Sequence, residues 1–242
     1  MENLGELESI VHRCRRCREN KLTRDIIKYF PVFSFGDPRS KEVLIIGINP
    51  SHREYSDGHL SSSPNINERM LSQLTYFDRD PYFFFRKLEM LFEGEVQKII
   101  GENPWSKVAF LDLVKCVTVK RRRDGRIGQW SALSSKEKQT LIRSCEGYLI
   151  KQLFLYKPKV IMLYGKDVCR WFKNKMEEGC ERFKVTPMQQ EPFLRCEIAN
   201  EKEKFVTSII LSHQSQAPLS ATKITNLREM LHLALTRKQD GA

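Results

Sequence analysis

No stretch of this 242-residue sequence approaches the length needed to span a bilayer. The longest strand-like apolar runs, such as Val43 to Ile48 and Val206 to Leu211, stop far short of it. The N-terminal segment MENLGELESIVHRCRRC contains no apolar h-region of the kind a secretory signal needs. Its Leu4, Leu7, Ile10 and Val11 fall instead at helical spacing and predict a short amphipathic helix. Glycine and proline are sparse, at 12 and 10 residues, which excludes a collagen-like or linker-dominated chain. Acidic residues are outnumbered, 30 Asp and Glu against 41 Lys and Arg, for a formal net charge of +11. That imbalance points to a polyanionic partner, nucleic acid first.

What is present can build a core. Hydrophobic residues make up 40% of the chain, with 14 Phe, 7 Tyr and 3 Trp, which excludes intrinsic disorder. The seven cysteines are an odd number in a chain too long to need disulfide staples. They indicate a reducing compartment, with metal-binding or free thiols. The expectation is an intracellular monomer, cytoplasmic or nucleoid-associated, with no membrane partner.

Four runs read as strands: 43–48, 108–114, 160–164 and 206–211. Each is nearly continuous in apolar character, as in a sheet buried on both faces. Helical patterns lie between them at 66–74, 82–91, 135–155 and 167–175, and a last one covers 224–237. Ser134 or Ser135 is placed to cap the long helix. Residues 174–204 are polar and irregular, in keeping with a peripheral hairpin. The expected fold class is α/β: a three-layer α/β/α sandwich with a central four-stranded parallel sheet. Residues 1–242 form one domain, with an N-terminal arm over 1–40.

In open α/β sheets, ligands bind beyond the carboxyl ends of the strands. Three loaded segments fall there: Gly47-Ile-Asn-Pro-Ser51, Asp112-Leu-Val-Lys-Cys116 and Ser212-His-Gln-Ser215. Taken singly, Asn-Pro is a common turn and a lone His is more often structural. Together they would share one rim. The run Lys120-Arg-Arg-Arg-Asp-Gly-Arg126 sets five basic residues within seven. It reads either as a solvated loop or, beside those motifs, as a footprint for phosphates through Lys120, Arg121, Arg122, Arg123 and Arg126. Cys14-Arg-Arg-Cys17 is a C-x-x-C pair, which alone can be a zinc half-site, a redox pair or chance. Thiolates suit zinc and iron–sulfur clusters alike.

In order and spacing these segments resemble the uracil-DNA glycosylase superfamily. Gly47-Ile-Asn-Pro-Ser51 is similar to the first motif in the form with Asn at the third position. Ser212-His-Gln-Ser215 is similar to the second, with Gln214 in place of the usual Pro, and Pro218-Leu-Ser-Ala221 echoes its tail. Leu113-Val-Lys-Cys116 resembles the middle motif of the iron–sulfur branch, as does the stretch from Cys145 through Gly165. The resemblance implies four cluster ligands, Cys14, Cys17, Cys116 and Cys145, holding a 4Fe-4S cluster, with zinc as the alternative. The interval from Cys116 to Cys145 is longer than in that branch and contains the basic run. Such a cluster would tie the arm to the core without performing the chemistry. Cys169, Cys180 and Cys196 have no assigned place.

The resemblance further implies a monofunctional DNA glycosylase acting on DNA with a damaged base. The enzyme extrudes a deaminated base, uracil or a related one, and hydrolyses its N-glycosidic bond. His213 would donate to the base O2 as negative charge develops there. Asn49 would hold the attacking water through its amide oxygen. Gly47, Ile48, Pro50, Ser51 and Ser215 would line the base pocket, and Tyr55 or Phe77 would stack on the base. Leu219 would wedge into the minor groove. Asp112 stands where relatives carry Asn. An ionised Asp offers acceptors only, whereas Asn matches uracil O4 and N3–H. The alternative is a non-catalytic nucleic-acid-binding relative that keeps the fold and cluster. A zinc-bearing RNA-binding protein is a weaker third reading.

Overall fold

A computed structural model describes residues 3–36, 42–79, 81–121, 127–178, 184–189, 193–212 and 220–237. The helices are α1 (Leu4–His12), α2 (Arg16–Glu19), α3 (His52–Ser56), α4 (Ile66–Leu74), α5 (Phe83–Glu89), α6 (Glu95–Ile100), α7 (Ser135–Tyr156), α8 (Lys166–Glu178) and α9 (Ala221–Thr236). The strands are β1 (Val43–Gly47), β2 (Val108–Asp112), β3 (Lys120–Arg121), β4 (Ile127–Gly128), β5 (Val160–Tyr164), β6 (Lys184–Gln189), β7 (Leu194–Ala199) and β8 (Lys204–Ser212). No described helix is long and apolar enough to cross a membrane.

The main sheet has six strands in the order β2-β1-β5-β8-β7-β6. Strands β1, β5 and β8 run parallel, while β8, β7 and β6 are antiparallel. The four expected strands are all present, but a four-stranded parallel sheet is not what forms. Strands β6 and β7 extend it as an antiparallel pair, so the sheet is mixed. This pair obeys a different pattern from the core. Strands β1, β2 and β5 are buried at every position, whereas β7 buries only Cys196 and Ile198 between half-exposed neighbours, the alternation of a sheet covered on one face. Pro187 sits in the outermost strand, beside a register shift. A residue without an N–H is tolerated at such an edge or bulge.

The chain divides into two compact units. One comprises Pro38–Gly47, Phe83–Phe110 and Tyr156–Ala242. It holds most of the sheet, and α8 and α9 both pack on β5 and β8. Phe84, Phe85, Phe110, Trp105 and Tyr164 meet there edge to face, with centroids 5.1–5.9 Å apart.

The other unit comprises Met1–Asp37, Ile48–Tyr82 and Leu111–Leu155. Its buried cluster includes Cys17, Ile26, Ile27, Val114, Cys116, Trp130, Leu133, Leu141 and Cys145. Arg69 is buried and donates to the carbonyls of Ser63, Pro64 and His12. Its guanidinium lies 4.0 Å from the centroid of Phe30. One cation thus satisfies carbonyls from separate segments and fastens the end of α1 beside α4. The long helix α7 starts in a capping box: Glu137 N–H donates to Ser134 Oγ, and Ser134 N–H donates to the Glu137 carboxylate.

Candidate active site

Because β1 and β8 are parallel, Gly47 and Ser212 end their strands at the same sheet edge. Beyond Gly47 the chain turns at Asn49-Pro50. Ser51 then caps α3, its Oγ accepting from the Arg53 N–H at 3.3 Å. The Ile48 carbonyl accepts from the Val114 N–H at 2.8 Å, which fixes the turn to the segment after β2. Asn49 is half-exposed. Its Nδ2 donates to the Pro50 carbonyl at 3.0 Å and to Thr118 Oγ1 at 3.3 Å. The amide nitrogen is therefore engaged, and Oδ1 is left as the acceptor.

Asp112, the last residue of β2, is buried, and its Oδ2 has no hydrogen-bond partner among the described residues. Burial pushes its pKa up, against the pull of Lys115. Lys115 is itself 1% exposed, with Nζ 3.5 Å from the Phe33 carbonyl, and burial pushes its pKa down. A second buried carboxyl lies in the same unit. Glu54 of α3 is 2% exposed and accepts a hydrogen bond from the equally buried Tyr76 hydroxyl. Burial raises its pKa to about 8; the Tyr76 bond opposes the rise, and Asp112 and Asp57 add to it. Glu54 thus stays protonated at neutral pH, with Asp112 close enough to be felt.

Tyr55 is buried, and its hydroxyl donates to the Phe30 carbonyl at 2.9 Å. Phe77 is half-buried, edge-on to Tyr76 at 5.1 Å. It lies against Gly36, whose φ of +74° and 2.7 Å Cβ approach to the Phe77 ring leave no room for a side chain. Lys120 Nζ bonds both carboxylate oxygens of Glu137 at 2.8 Å. Arg121 pairs with Ile127 in the β3–β4 ladder. Arg122, Arg123 and Arg126 lie outside the described residues, as do His213, Ser215 and Leu219 of the second motif.

Four cysteines gather in the unit that carries Asn49. The Cys17 sulfur is hydrogen-bonded to Cys116 and Cys145, and those bonds pull its pKa down to about 3 despite burial. Cys116 and Cys145 are pushed up, the bond to Cys17 first and burial second, with the charge of Cys14 adding to both. Cys14 is half-exposed and hydrogen-bonds Tyr148. None of the four is in a disulfide. Among the described residues, no three His, Cys, Asp or Glu side chains take the geometry of one bound metal ion. As a donor set, four thiols with no oxygen ligand suit soft, thiolate-held centres, and a cluster that spreads its cysteines over several irons fits this set.

Sequence patterns did not single out Glu54, Thr118, Lys115 or Tyr29. Only Lys115 lay inside a quoted motif; the others owe their interest to burial and partners that no local pattern encodes. A shallow surface depression lined by Lys159, Arg195, Thr207 and Arg237 lies toward the opposite end of β8 and contains none of the motif residues. A search of curated proteins finds no match to this sequence. A family profile, the uracil DNA glycosylase superfamily, matches residues 33–235, which includes all three motif segments and leaves Cys14 and Cys17 just before it. The chain belongs to the uracil DNA glycosylase superfamily.

Proposed function

We propose that the protein is a monofunctional DNA glycosylase that removes a deaminated base in base excision repair. The observation that carries the reading is the clamped amide of Asn49: with Nδ2 engaged by Pro50 and Thr118, Oδ1 is the group that can accept from a water. The base is first extruded from the stack. As the C1′–N bond breaks, its electron pair passes to the departing base. The water held by Asn49 bonds to C1′, and its proton passes through solvent to the departing base anion, which leaves as the neutral base. His213 donates a hydrogen bond to the base O2 and stabilises the developing anion. An amide is no strong general base, so chemistry depends on leaving-group stabilisation more than on activating the water. Gly47, Ile48, Pro50, Ser51 and Ser215 line the pocket, and Phe77 is the half-buried ring offered for stacking. Leu219 is the wedge, and the basic run from Lys120 to Arg126 contacts phosphates.

Asp112 reads the base in its protonated form. A neutral carboxyl offers one donor and one acceptor, the complement that Asn supplies in relatives. Its burial and its unpartnered Oδ2 support this role. Cys14, Cys17, Cys116 and Cys145 would hold a 4Fe-4S cluster, with zinc as the alternative. The group would cross-link the arm to residues 116 and 145 and take no part in bond cleavage.

The test is a panel of single-stranded and duplex oligonucleotides carrying uracil, hypoxanthine, xanthine or a thymine mismatch, with the free base detected by mass spectrometry. Release of at least one deaminated base, leaving an abasic site, is expected. Binding to these strands with no base released favours the non-catalytic relative, a reading that the Asp112 substitution keeps in play.

A further inference from the structure

Tyr29 is used neither by the core nor by the chemistry above. Its ring is half-exposed and lies 4.4 Å from that of Tyr55, within 4° of parallel. Tyr55 is buried and anchored through its hydroxyl to Phe30, so one face of Tyr29 rests on a fixed support. His52 meets the ring edge-on at 5.6 Å, with Nε2 3.4 Å from the Tyr29 hydroxyl, and this sets the ring's rotation. The ammonium of exposed Lys28 lies over the ring, 5.4 Å from the centroid. An aromatic kept for packing is covered by apolar neighbours; this one is half-exposed and lies beside an exposed cation.

Its position adjoins the catalytic turn. Ile27 forms a bridge with Thr118, and the Val119 N–H donates to the Ile26 carbonyl at 2.8 Å. Thr118 Oγ1 in turn accepts from Asn49. His52 follows Ser51 directly and opens α3. The platform and the turn that holds Asn49 are thus fixed by shared partners within one unit.

We propose that Tyr29, backed by Tyr55 and flanked by His52 and Lys28, stacks an unpaired nucleobase next to the extruded one. The inference rests on the glycosylase reading for its ligand. Every base has a π-face, so such a platform tolerates any neighbouring sequence. An exposed cation–π contact is weak, and Lys28 leaves it readily to pair with the phosphate that arrives with the base. His52, its pKa lowered by burial and then by Lys28, stays neutral and keeps the ring in place as a hydrogen-bond partner.

The test uses the full-length protein and fluorescence anisotropy with a single strand carrying a tetrahydrofuran abasic analogue at the target position, so that binding is read without turnover. A base-less spacer then replaces the neighbouring nucleotide on each side in turn. Wild-type protein is expected to lose roughly 5-fold or more in affinity with the spacer on one side. Tyr29→Ala should lose a similar factor on the intact strand and show no further loss with the spacer. Tyr29→Phe should retain both the affinity and the spacer penalty, which separates stacking from misfolding. An equal spacer penalty in wild type and Tyr29→Ala, or no penalty in wild type, overturns the platform and leaves the glycosylase reading standing. Wild-type protein that binds no single strand overturns the platform, and the glycosylase reading is then decided by base release from the duplexes.

Discussion

Asp112 shows how far burial changes what one substitution means. An exposed Asp at this place would repel uracil O4. In the fully buried site its pKa is pushed up to about 7, by burial first, with the charge of Lys115 opposing. An acid with a raised pKa is neutral below that value and charged above it, so the proposed base reading through Asp112 would fail as pH rises. Single-turnover uracil release is therefore expected to fall above pH 7. By pH 8 about a tenth of Asp112 would remain protonated, for a loss of roughly tenfold. In Asp112→Asn the fall should vanish. Glu54 titrates near 8 in the same unit, so Glu54→Gln serves as the control. A wild-type profile flat from pH 6 to 8.5 would refute the assignment to Asp112.

At the scale of elements, the arm and α7 are joined by their cysteines. Cys17 lies in α2 and Cys145 in α7, with Cys116 just after β2. If these thiols hold a cluster, Cys116→Ser should abolish the visible absorbance and bound iron of the purified protein and lower its melting temperature by several degrees. Stoichiometric zinc in the wild type, with no iron and no colour, would replace the cluster with a zinc site. Much of this architecture was readable beforehand. Helix α4 lies where its apolar spacing put it, and α7 starts where Ser134 and Glu137 form their box. The parallel core was legible because β1, β2 and β5 are nearly continuous apolar runs, buried at every position. The outer antiparallel pair was less so, because half-buried strands with Lys, Arg and Glu on one face resemble a polar loop. Helix α6 is six residues between Gly94 and Gly101, too short for a periodic signal. The site divides the same way: Asn49 and Asp112 stood in motifs, whereas Glu54 and Tyr29 matter through tertiary burial and stacking.

For the whole molecule, the +11 charge is unevenly distributed. Exposed Arg13, Arg15, Arg16, Lys21, Arg24 and Lys28 crowd the arm beside the cysteines. Lys120, by contrast, is ion-paired with Glu137. The arm and Lys120 both belong to the unit that carries Asn49 and Asp112. A basic arm, a clamped amide and a buried acid thus share one unit of a chain in the uracil DNA glycosylase superfamily. The most direct test is the single-turnover release of free uracil from a labelled single strand by wild type, Asn49→Ala and His213→Ala. Release by wild type, slowed at least about 100-fold by either substitution, is the expected result. Release that survives both substitutions unchanged would contradict the assigned chemistry.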